Sequence, residues 1–202
     1  MAPVIETERL ILRGHTKADL DACAALWGDA EVTRYIGGRP FARDEVWARL
    51  LRYVGHWQEM GYGFWALTER ASGRLVGELG FADFKRELDP SFGDTPEMGW
   101  ALSPDVHGKG YASEAATAAL AWADTHFRGG RTVCMIHPEN GPSLRVAQKA
   151  GFREFARADY HGPTVLLERF RARWTDARPT RPPAHRPGVA RARSCPHRAR
   201  LR

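Results

Sequence analysis

Residues 107–112, His107-Gly108-Lys109-Gly110-Tyr111-Ala112, have the types and spacing of an anion site. From Tyr111 onward the apolar residues Ala112, Ala115, Ala116, Ala119, Leu120, Ala123 and Phe127 recur at helical spacing. Before it, residues 97–102 alternate as a strand does, and Ser103-Pro104-Asp105 breaks that strand. Gly108 and Gly110 therefore fall at the mouth of a helix. Backbone N–H groups there have no intrahelical acceptor, and the helix dipole adds partial positive charge. A phosphate is stabilised at such a mouth; the glycines let the backbone approach it, and Lys109 supplies a mobile cation.

Spacing separates three kinds of phosphate loop. A P-loop needs Gly-x-x-x-x-Gly-Lys-Ser/Thr, but here Lys109 is followed by Gly110, and Ser103 stands five before Gly108. A dinucleotide fingerprint would use Gly108 and Gly110 but finds Ser113 in third place. Its acidic residue, Asp124, lies inside the helical stripe instead of ending a second strand. The third pattern is the pyrophosphate loop of an acyl-coenzyme A enzyme, Gln/Arg-x-x-Gly-x-Gly/Ala, which His107 to Ala112 meets except at its first position.

With that loop, the chain resembles the GNAT superfamily of N-acetyltransferases, in particular its Rim-type, ribosomal-protein alanine acetyltransferase-like branch. The matching segments are ETERLILR at 6–13, DAEVTRYIGG at 29–38, GRLVGELGF at 73–81, EMGWAL at 97–102, HGKGYASEA at 107–115 and HPENGPSLRVAQKAGF at 137–152. The resemblance implies a GNAT fold, α/β (α+β) in class: a mixed, mostly antiparallel sheet of about seven strands flanked by about four helices. Two central strands, here residues 97–102 and 131–137, would splay apart to admit the pantetheine arm of acetyl-CoA. Backbone groups at Trp100 and Leu102 would pair with its amides, and His107, Gly108, Lys109, Gly110, Tyr111, Ala112 and Asn140 would complete the coenzyme site.

The resemblance also implies an N-acetyltransferase that acts by direct attack of a primary amine on the thioester. An ammonium has no lone pair to attack with, so a base is required. Glu97 stands where the branch carries an acid. Ser143 matches the Ser of its Asn-x-x-Ser, near the sulfur. Many members place a tyrosine further along this helix, where this chain has Ala147 or Gln148, so proton donation falls to another group. Each candidate also has an ordinary role open to it: Glu97 as an exposed strand-end acid, Asn140 as a helix cap, Trp100 and Leu102 as core. Trp27, Arg34, Tyr35, Trp57, Tyr62, Trp65 and the loop 83–96 are candidates for acceptor binding, although aromatic residues are equally core material. A second class of function stays open, a non-catalytic acyl-coenzyme A sensor; Glu97 and Ser143 favour the enzyme.

The elements that position these residues follow from periodicity. A strand at 10–13 precedes helices near 17–27 and 44–60. A hairpin follows at 64–69 and 75–81, then the long polar connection 83–96, of a length more often functional than filler. After the helix that opens at Tyr111 come a buried strand at 131–137, a short helix at 142–150 between Asn140 and Gly151, and strands at 152–158 and 164–171.

Two hundred and two residues with 43% hydrophobic content suffice for one core. Cys23, Cys134 and Cys195 have no CxxC spacing, and His56, His107 and His137 are not spaced as ligands, so neither disulfides nor a metal is expected. Without a leader or a long apolar run, the expected location is cytoplasmic, as monomer or homodimer and with no membrane partner. From Arg171 onward there are ten arginines against one acid, Asp176. That segment carries +9, leaving −3 for the rest of a chain whose net charge is +6. The expected division is an acetyltransferase domain at 1–170 and a disordered basic tail at 171–202. Nucleic acid binding by that tail is the less expected of its roles.

Overall fold

The computed structural model describes residues 1–171; the basic segment, apart from Arg171, lies outside the described residues. Eight strands form one sheet in the order β1-β2-β3-β4-β5-β6-β8-β7: β1 (Ile5–Glu6), β2 (Leu10–Arg13), β3 (Phe64–Glu69), β4 (Leu75–Ala82), β5 (Glu97–Leu102), β6 (Arg131–Ile136), β7 (Arg153–Asp159) and β8 (Pro163–Phe170). Every neighbouring pair is antiparallel except β5 and β6. The helices are α1 (Leu20–Trp27), α2 (Ala30–Thr33), α3 (Arg43–Met60), α4 (Tyr111–His126) and α5 (Gly141–Lys149). One strand and one helix exceed the sequence expectation. They are the two-residue β1 and the one-turn α2, both too short to show a period.

Side-chain alternation divides the core. Leu79, Phe81, Met98 and Leu102 face α4, where Ala115, Ala116 and Ala119 are fully buried and let the helix lie close to the sheet. The opposite face, with Ala66 and Ala101, packs on Cys23, Leu26 and Trp27 of α1 and Val46 and Leu50 of α3. Glu78 of β4 points into that second layer at 1% exposure. There the His15 ring donates to it at 3.2 Å, and the Trp27 indole N–H at 2.9 Å. Gly61 ends α3 in the left-handed region (φ 71°), where glycine pays no Cβ penalty.

Trp57 and Trp65 belong to this framework. Both are buried and meet each other edge-on at 4.7 Å. Their indole N–H groups donate to the carbonyls of Phe64 and Pro3, each at 2.9 Å. Expected as acceptor-binding residues, they have no surface to offer one. The indole ring gains more from the core, and its one polar atom is satisfied there. Trp27 is likewise buried, while Tyr62 packs edge-on against Phe127.

Candidate active site

The parallel pair β5 and β6 share a single register pair, Glu97 with Val133, where the Val133 N–H donates to the Pro96 carbonyl at 3.2 Å. Beyond it each strand keeps only its outer partner: β5 runs along β4 as far as Leu102 opposite Gly77, and β6 along β8 as far as Ile136 opposite Val165. A wedge-shaped gap results. Backbone direction alternates along a strand. The Pro96 carbonyl points to β6 and the Ser103 N–H to Val76 of β4, so Met98, Trp100 and Leu102 aim their backbone groups into the gap. Their side chains meanwhile pack in the α4 layer. The two roles considered for Trp100 and Leu102 are thus compatible. The His107 ring reaches back to the Leu102 carbonyl at 3.0 Å, closing the far end of the turn.

That turn opens α4. Gly108 (φ 75°) and Gly110 (φ 82°) both lie in the left-handed region, so the chain can aim successive N–H groups outward. Among the described residues no acceptor takes the N–H of Gly108, Gly110, Tyr111, Ala112 or Ser113; the first helical bond is Glu114 to Gly110. Lys109 is exposed beside them. The Tyr111 ring is buried and its hydroxyl donates to Glu69 at 2.7 Å, leaving only its backbone to the loop. A clamp absent from the sequence reading fixes the loop from outside. Arg9 donates to Glu114 through its backbone N–H (2.8 Å) and Nε (2.7 Å), donates to the Lys109 carbonyl through Nη1 (2.8 Å), and lies over the Tyr111 ring. The cue was a charged residue directly before the apolar LILR strand.

At the closed end of the gap stands Glu97, 6% exposed rather than at a solvated strand end. Burial pushes its carboxyl above the ordinary value, and an arginine from the loop 83–96 pulls back against that. This is Arg86, whose Nε donates to Oε2 at 2.7 Å and Nη2 to Oε1 at 3.1 Å. Sequence reading singled out the loop but not the residue, because nothing local marks a charge that pairs eleven positions away. The loop and Glu97 border a cleft of about 270 Å³ that Phe84, Phe92 and Asp94 also line.

On the third side, Asn140 begins α5 and its Oδ1 accepts the Ser143 N–H at 3.2 Å, while Ser143 is half-buried. Ala147 is wholly buried and Gln148 exposed, so no tyrosine hydroxyl comes from this helix. Of the residues expected to bind the acceptor, Arg34 and Tyr35 remain near the open end of β6. Arg34 is exposed over the Tyr35 ring, which stacks on His137 at 5.1 Å. Cys134 and Cys23 are buried thiols, and burial pushes both far up from the usual thiol range. His15, Cys23 and Glu78 bring ligand-type atoms within 4.8 Å of one another, which the sequence did not foreshadow. In this structure the cluster is tied together by hydrogen bonds: the His15 ring and the Trp27 indole N–H each donate to one oxygen of Glu78. Among the described residues no helix is long and apolar enough to cross a membrane.

The site is an N–H cradle, a gap between parted strands, and a buried carboxylate at its apex. Comparison with known proteins gives it a setting. Residues 9–153 match the acetyltransferase (GNAT) domain family. The uncharacterized N-acetyltransferase YnaD of Bacillus subtilis is 31% identical over 150 residues, 74% of this chain and 82% of that protein. A solved structure described as a GnaT-family acetyltransferase from Bordetella pertussis is 34% identical and superposes with a TM-score of 0.74, covering 83% of this chain and 99% of that one. RimL, a ribosomal L7/L12 α-N-protein acetyltransferase solved with coenzyme A, shares the fold at 16% identity. Its TM-score is 0.70, over 83% of this chain and 98% of its own.

Proposed function

The chain belongs to the GNAT acetyltransferase family, and we propose that it moves an acetyl group from acetyl-coenzyme A to a primary amine by direct attack within a ternary complex. The observation that carries this reading is the β5–β6 gap, which leads from five N–H groups without an acceptor among the described residues at one end to a buried glutamate at the other. Acetyl-coenzyme A supplies the acetyl group as an activated thioester. The residues present fit it: the backbone at Gly108 to Ser113 suits the pyrophosphate, with Lys109 alongside. The inward-facing backbone of Trp100 and Leu102 suits an extended amide chain, bound as strands bind added strands.

Glu97 takes the proton that the acceptor ammonium must lose, directly or through one water. Its raised affinity for a proton, caused by burial, brings it closer to the working pH than an exposed glutamate would be. Ser143, half-buried at the first turn of α5, would act as a relay, giving its hydroxyl proton to the departing thiolate while regaining the second proton that the acceptor nitrogen loses. Asn140, besides capping the helix through Oδ1, keeps its amide NH₂ for the coenzyme arm. Arg34 and Tyr35 border the acceptor side. RimL is an α-N-protein acetyltransferase, which puts peptide N-termini among the acceptors to try here, beside small amines.

The test is an acceptor screen that follows free thiol release from acetyl-coenzyme A, using spermidine, kanamycin, and peptides with N-terminal alanine or serine. Turnover of at least one amine is expected. Tight coenzyme binding by calorimetry with no turnover of any of them would replace the enzyme by a coenzyme sensor. A Gly110→Trp protein should lose coenzyme affinity at least tenfold, since a side chain at φ 82° strains the turn and an indole there would crowd the N–H groups proposed to hold the pyrophosphate. Unchanged affinity would move the phosphate site elsewhere.

A further inference from the structure

We propose that Arg86 keeps the Glu97 carboxylate charged and fixed in direction at the apex of the gap, and so is a positioning residue for the transfer; this rests on Glu97 being the proton acceptor. Glu97 stands in the sheet between its register partners, Ala82 of β4 and Val133 of β6, with its side chain 8% exposed. A lone carboxylate so enclosed takes up a proton, and once protonated it has no acceptor strength left for an ammonium. The Arg86 fork opposes this by engaging both oxygens. Each carboxylate oxygen has two lone pairs, so a side-on fork leaves one on each for the amine or a bridging water.

Arg86 is itself held in place. Its guanidinium lies over the Phe84 ring at 4.4 Å and the Tyr160 ring at 5.2 Å, and Nη1 donates to the Tyr160 hydroxyl at 3.3 Å. Tyr160 belongs to the turn between β7 and β8, so two distant segments fix one side chain. The other ionisable groups around Glu97 do not replace it. Asp83 opposes ionisation by its like charge. The Lys85 ammonium is spent on Asp83 at 2.7 Å and Asp94 at 3.2 Å. Cys134 on β6 is a protonated thiol. Among the described residues, Arg86 is the cation in contact with Glu97.

The experiment separates Arg86 from the base assignment. The Glu97 side-chain carboxyl is titrated by carbon-13 NMR in the protein without coenzyme or amine, its resonance assigned by its loss in Glu97→Gln. In Arg86→Gln the titration should move up by about one unit or more, and Arg86→Lys should restore at least half of that. A titration that stays in place in Arg86→Gln overturns the proposal. So does an Arg86→Lys protein that titrates like Arg86→Gln. In a second arm, the acid limb of kcat/KM, measured with the best amine of the screen, should move by the same amount as the resonance. If the resonance moves and the limb does not, Glu97 is not the base and Arg86 has no part in transfer. An unmoved resonance removes only Arg86.

Discussion

Glu78 and Glu97 lie on adjacent strands with their side chains on the same face of one sheet, and both are buried, yet their surroundings differ in kind. Glu78 is enclosed by packed structure: His15 at the approach to α1 and Trp27 at its end both donate to it, and Arg49 of α3 adds positive charge. Burial pushes its carboxyl up, but these partners outweigh burial, and the net direction is down. Glu97 is met by one arginine from a loop, at the point where two strands part, and there burial prevails. A buried carboxylate is therefore not a functional sign by itself. The sign is a carboxylate whose charge is incompletely compensated beside a gap that a ligand can enter.

The largest effect should come from breaking the first environment. Glu78→Ala leaves the His15 and Trp27 donors without an acceptor inside the core and should cost about 3–5 kcal/mol in denaturant unfolding. Protein that still folds should bind coenzyme as before. The pH dependence has a definite sign. Glu78 ionises more readily in the folded chain than in the unfolded one, so its stabilisation is complete above the unfolded value near 4.5 and is lost as pH falls through the lower folded value. Glu78→Gln should accordingly flatten the acid side of the stability curve below that pH. A wild-type slope there would erase the distinction between the two glutamates.

Glu97 should behave in the opposite way. Its folded value is raised, so its ionised form costs stability, and that cost appears as pH rises from the unfolded value through the folded one. At pH 7, Glu97→Gln should leave the unfolding midpoint unchanged or higher, while lowering turnover about 10²–10⁴-fold. Loss of stability without loss of turnover would make it a second Glu78.

The fold was legible wherever a period ran long enough. The strand at Glu97–Leu102 falls on its expected bounds, and α4 starts at Tyr111 as its apolar spacing requires. So was the turn that opens α4, since Gly108 and Gly110 are the residue type that positive φ demands. Contacts between distant segments were not legible. Arg86 reaches Glu97 and Tyr160 only because a long connection folds back, and Arg9 meets Glu114 across 105 positions. The tryptophans erred in the other direction. Trp57 and Trp65 read as possible pocket residues because their type is shared by cores and sites, and only packing decides between them.

The Arg9 clamp offers a control at intermediate size. Its guanidinium is partly solvated, 41% exposed against 16% for Glu114, so its replacement by alanine should loosen the loop rather than the core. We expect the coenzyme KM to rise about fivefold with kcat within twofold, as for a partly screened ion pair. An equal fall in kcat would show that loosening any edge of the gap disturbs the chemistry, and the Glu97 result would lose its specificity.

Asp83 should give the smallest effect and the finest resolution of the comparison. It is the like charge that works against Glu97 ionisation, the weakest of the influences on that carboxyl, whereas at Glu78 the leading influences after burial come from His15, Trp27 and Arg49. Asp83→Asn removes the repulsion and also frees the Lys85 ammonium from its 2.7 Å partner. Both changes favour the carboxylate. The acid limb of kcat/KM should therefore move down by roughly a few tenths of a pH unit, opposite in direction to Arg86→Gln, with coenzyme affinity unaltered. Added salt should reduce the shift, because Lys85 is largely exposed and its influence is screened over about 10 Å at 0.1 M. An upward shift would mean that Asp83 acts mainly by holding the loop that carries Arg86, and the field at Glu97 would then be a matter of loop geometry before charge.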